Sequence, residues 1–121
     1  MYAIAHALAA AAAAAFFLIG AFAATLPGRL SRAYGLPATE PVARAFVRAT
    51  GARDMALGVI LFAAVLSGSA VLLRIIVASG CVVALADFAL AYGGAGRTLQ
   101  PQHATHLAGA IGFALILFFL I

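Results

Sequence analysis

Five ionisable side chains in this sequence sit where ionisable side chains are scarce: Arg53, Asp54, Asp87, His103 and His106. A carboxylate or imidazole taken out of water acquires a shifted proton affinity and can act as a general acid or base. On that chemistry Asp54 or Asp87 would be the base, His106 its proton partner, and Arg53 the group that stabilises an anionic substrate or intermediate. His103-x-x-His106, with the two aspartates opposite, also supplies nitrogen and oxygen donors of the kind zinc, iron or manganese accept. No glutamate follows the histidines as in the HExxH pattern, and no sequence signature names a reaction type or a cofactor. A structural ion-pair network, with Arg53 reaching Asp87, is the plainer use of the same residues.

The elements that carry these groups are set by composition. Of 121 residues, 67% are hydrophobic and 8% charged, too few to cover the exterior of a water-soluble domain, so lipid is the expected solvent. A hydrocarbon layer of roughly 30 Å needs about 20 helical residues per crossing. The chain therefore divides into four spans, at about residues 2–26, 42–67, 71–92 and 101–121, in one all-α membrane domain of up-down-up-down connectivity. The first is mostly alanine, with Gly20 and Ala24 one turn apart on a face narrow enough for close helix approach. Ala21-Phe22-Ala23 imitates a signal-peptide cleavage site, but the apolar run is too long and lacks a basic start, so it reads as a retained span.

The stretch LPGRLSRAYGLPATEP, with three prolines, two glycines and the sole glutamate, Glu40, reads as the longest loop. Ser67-Gly68-Ser69 forms a tight connection, and Gly93, Gly94 and Gly96 break the chain before the last span. The positive charge of +4 comes from seven arginines without a lysine, most of them at helix ends rather than in a nucleic-acid-binding patch. Arg29, Arg32, Arg44, Arg48 and Arg97 flank the first and third loops, which predicts those loops on the cytoplasmic side of a bacterial inner membrane and both termini outside. The same arginines would attract anionic lipid headgroups. The lone cysteine, Cys81, lies in an apolar run and reads as packing.

Depth follows from arithmetic. The uncharged part of the second span, Met55 to Ser67, would cover only about 20 Å, and Leu107 to Ile121 only about 22 Å. Arg53, Asp54, His106 and His103 are thereby drawn below the surface in the leaflet that also holds Asp87. Helical spacing places Val47, Gly51, Asp54 and Gly58 on one face, Gly80, Ala84, Asp87 and Ala91 on another, and His103, His106 and Ala110 on a third. The small residues beside each aspartate leave either close helix contact or room for a small apolar or anionic ligand. A proton-coupled carrier is a further reading, and four short helices would then have to form a homo-oligomer to build a pathway.

SRAYGLP, RAFVRATGARDMALGVILF, ADFAL and HATHLAGA together resemble the uncharacterised membrane-protein family called domain of unknown function 4267. The most specific part is Gly51-Ala52-Arg53-Asp54 with Leu57-Gly58 behind it, followed by an aspartate in the third span and a histidine in the fourth. The resemblance implies four membrane helices, distantly like DoxX-like bundles, with Arg53, Asp54, Asp87 and His106 at the family's polar positions and His103 matching less closely. It implies no activity.

Overall fold

The computed structural model describes residues 1–101 and 103–121, and among these the secondary structure is helical throughout. Five helices form: α1 (Tyr2–Thr25), α2 (Pro27–Ala33), α3 (Pro41–Leu66), α4 (Ala70–Gly94) and α5 (His103–Leu120). All but α2 are long and apolar enough to cross a membrane. Their outward surfaces carry Leu18, Leu66, Leu90 and Phe118, each more than 60% exposed, an arrangement that lipid satisfies and water would oppose. The fold class expected from composition is the one observed.

Two differences concern the first and third loops. The proline-rich stretch after α1 contains the seven-residue helix α2, because Pro27 occupies its first turn, where a missing N–H costs nothing, and Pro37 lies four residues beyond its end. The third span also continues through Gly93 and Gly94 instead of ending at Tyr92. Its stop comes at Gly96 and Arg97, whose φ angles of 67° and 62° leave the right-handed region.

Glycine decides which helices touch most closely. A β-carbon on Gly51 would lie 2.6 Å from the Gly20 carbonyl oxygen, and one on Gly58 would lie 2.7 Å from that of Ala13. The α1 and α3 backbones are therefore in direct contact along Ala13, Gly20, Gly51 and Gly58, the close approach that small residues permit within a bilayer. On the other side of the bundle, the Phe113 ring of α5 sits on Gly80 of α4, within 2.6 Å of where a β-carbon would be. Two tight pairs result, α1 with α3 and α4 with α5, and they meet each other more sparingly. At one end Arg74 of α4 donates from Nε to the Leu120 carbonyl of α5 at 2.8 Å, satisfying a helix-terminal acceptor.

At the other end α2 folds over the bundle. Ser31 Oγ accepts the buried Ala38 N–H at 3.0 Å, Arg44 Nε donates to the Ala38 carbonyl at 3.2 Å, and the Leu36 side chain rests on Gly94. These contacts draw α2 and the segment after it into a cap. Replacing Gly58 with alanine should lower the melting temperature in detergent, with a cost of about 1–3 kcal/mol for forcing two backbones apart. Gly112→Ala, where an added β-carbon meets nothing within 4 Å, should melt at or above the parent temperature. Equal melting of the two variants would refute the close α1–α3 contact.

Candidate functional site

Residues 53 and 54 point in different directions from a helix, so their side chains meet only if one of them curls around. Arg53 is long enough to do so. Its Nε and Nη2 donate to Asp54 Oδ1 at 3.0 and 2.8 Å, while Nη1 and Nη2 donate to Asp87 Oδ1 and Oδ2 at 3.3 and 2.9 Å. One guanidinium thus clamps a carboxylate of its own helix to one of α4, and so joins the α1–α3 pair to the α4–α5 pair. The Asp87 contact is the two-pronged geometry that arginine makes with carboxylates. Asp54 is nearly buried, whereas the Arg53 side chain remains 40% exposed.

The two histidines separate. His103 is 2% exposed, with its ring edge-on to Phe88 and Tyr92, and its Nδ1 accepts the Gln100 N–H at 3.1 Å. It closes the turn that leads into α5. His106, one turn on, lies against Tyr34 of the cap with ring centroids 5.0 Å apart, and its buried Nε2 has no hydrogen-bond partner among the described residues. The four donors weighed as metal ligands, Asp54, Asp87, His103 and His106, are consequently not gathered at one point. Among the described residues no three histidine, cysteine or acidic side chains are grouped to hold a metal ion.

Beside the clamp is a cavity of about 270 Å³. Its polar lining comprises Asp54, Asp87 and His106, Thr50 and Thr105, and Tyr34 and Ser31 of the cap, and its apolar walls include Phe16, Ile19 and Leu90. Arg53 is not among the lining residues, and its guanidinium is committed to the two aspartates. The cap residues Ser31, Tyr34 and Leu36 were not anticipated as part of a site. Their signal was the spacing of Leu30, Ser31 and Tyr34, which share a helical face once PGRLSRAY is read as a helix instead of a loop.

Tyr34 lies outside the membrane-spanning helices. Its burial, and after that the negative field of Asp54 and Asp87, raise its phenol above the usual tyrosine range. Because the folded state holds this proton more tightly, the associated stability is present below the unfolded phenol value and lost as pH rises through the folded one. With three tyrosines and no tryptophan, ultraviolet titration of the phenolates should show a late-ionising component that Tyr34→Phe removes. Ionisation of Tyr34 at the ordinary phenol value would mean that the cap is not seated over the carboxylates.

Comparison with known proteins places the chain once this geometry is in view. No curated protein and no solved structure matches it. A family model does, described as a domain of unknown function, DUF4267, and it spans residues 13–120, a range that includes the clamp, both histidines and the cap. The chain belongs to the DUF4267 family.

Proposed function

We propose that this small membrane protein binds a small, mostly apolar molecule in the cavity beneath α2, with the polar end of the ligand at Asp54, Asp87 and His106. The supporting observation is that the cavity stays open beside both carboxylates even though Arg53 has closed on them. An ion-pair network serving only to join helices would bring its side chains together and leave no space. At about 270 Å³ the space exceeds the roughly 150 Å³ that holds benzene in an engineered apolar core, and it approaches the lower range of small-ligand pockets.

A purely structural role has its own support in the direct contacts of Arg53 with both aspartates. The two readings coexist if the clamp joins the helix pairs and the cavity beside it does the binding. Gly109→Leu separates them. A β-carbon there lies 3.7 Å from that of Ala84, an ordinary contact, and Gly109 lines the cavity while making no contact in the clamp, so a larger side chain there is placed to fill the space. Protein purified in mild detergent should release a co-purified small molecule, seen by mass spectrometry, that is lost from Gly109→Leu at unchanged melting temperature. If the parent carries nothing that the filled variant lacks, the binding reading is wrong and the cluster is structural.

A further inference from the structure

We propose that the cavity selects a lipophilic cation, a protonated amine on an apolar body, over a neutral or anionic molecule of the same shape; this rests on the cavity being a binding site. The argument begins with where the charges lie. The chain carries seven arginines and three acidic residues, yet two of those three acids line the cavity and none of the arginines does. Among the described residues the carboxylates make salt bridges only to Arg53, so one guanidinium serves two aspartates. In a bilayer, where an unbalanced charge costs several kcal/mol, the wall is one positive charge short.

Hydrogen-bonding capacity is also left over. All the Arg53 bonds to Asp54 fall on Oδ1, which leaves Oδ2 free of the guanidinium. An ammonium offers three N–H donors and the missing charge. A hydroxyl brings one donor and no charge, and a carboxylate would face two of its own kind. The apolar walls at Phe16, Ile19 and Leu90 suit a short hydrocarbon body, and Tyr34 adds an aromatic side chain to the lining.

The test uses the full chain, delipidated in mild detergent at neutral pH, with three probes of one chain length: n-octylamine, n-octanol and octanoate. Binding is measured by equilibrium dialysis, and Gly109→Leu supplies the background from micelle partitioning. The amine should bind about tenfold more tightly than the alcohol, the margin by which a charged hydrogen bond exceeds a neutral one. Octanoate should not rise above background, and octyltrimethylammonium, which carries the charge without N–H donors, should fall between amine and alcohol. Asp87→Asn should narrow the preference of amine over alcohol. Alcohol or acid binding as tightly as the amine would overturn the cation assignment while leaving the site in place. If no probe exceeds background, the binding reading fails together with it.

Discussion

A guanidinium shared between two carboxylates is the interaction on which the remaining geometry depends. A charge taken out of water is costly without a partner, and the contacts among Arg53, Asp54 and Asp87 hold α3 to α4. Hydrophobic burial cannot perform this alignment, because lipid is as apolar as the side chains it would replace. The clamp therefore gives the bundle its register at one end. At the other, the contact of Arg74 with the last carbonyl of α5 does the corresponding work within the second helix pair.

Around the clamp, packing is uneven in a way that makes room. Backbone contact through Gly20, Gly51 and Gly58 draws α1 onto α3, and the Phe113 ring seated on Gly80 fixes α5 to α4. Both pairs spend their closest contacts internally. Between them the side chains facing inward near the clamp are small, Ala84, Ala91 and Gly109, so the space is not filled from within the membrane. The cap covers it from outside, held by Ser31, Ala38 and Arg44. Cavity and clamp are thus consequences of one arrangement: two tight pairs joined at a charged point and roofed by a short helix.

Much of this was legible in the sequence because membranes impose simple arithmetic. Runs of about 20 apolar residues mark the four spans, and the spacing of Gly51, Asp54 and Gly58 marks a face that is indeed buried. The cap was not legible. Proline and glycine are turn signals and helix-starting signals alike, and only the buried Pro27 and Ser31 show which meaning applies at 27–33. The separation of His103 from His106 was hidden for a similar reason. Helical spacing places both on one side, but the Gln100 N–H that fixes the His103 ring depends on the turn around Pro101. That Arg53 joins Asp54 and Asp87 at once depends on how α3 lies against α4, which spacing along a single helix does not reveal.

The most direct measurement of the central claim is a double-mutant cycle between Arg53→Gln and Asp87→Asn, with unfolding followed by titration with a denaturing detergent. Arg53→Gln leaves two carboxylates without their cation, whereas Asp87→Asn removes the bond from α3 to α4 and leaves Arg53 its contact with Asp54; if the clamp joins the two helix pairs, the double variant should lose less than the sum of the two single losses. The expected coupling is about 1–3 kcal/mol, moderated by the partial exposure of Arg53. Additive losses, with no coupling between the two positions, would show that the guanidinium does not hold α3 to α4 and would contradict this account of how the bundle and its cavity are built.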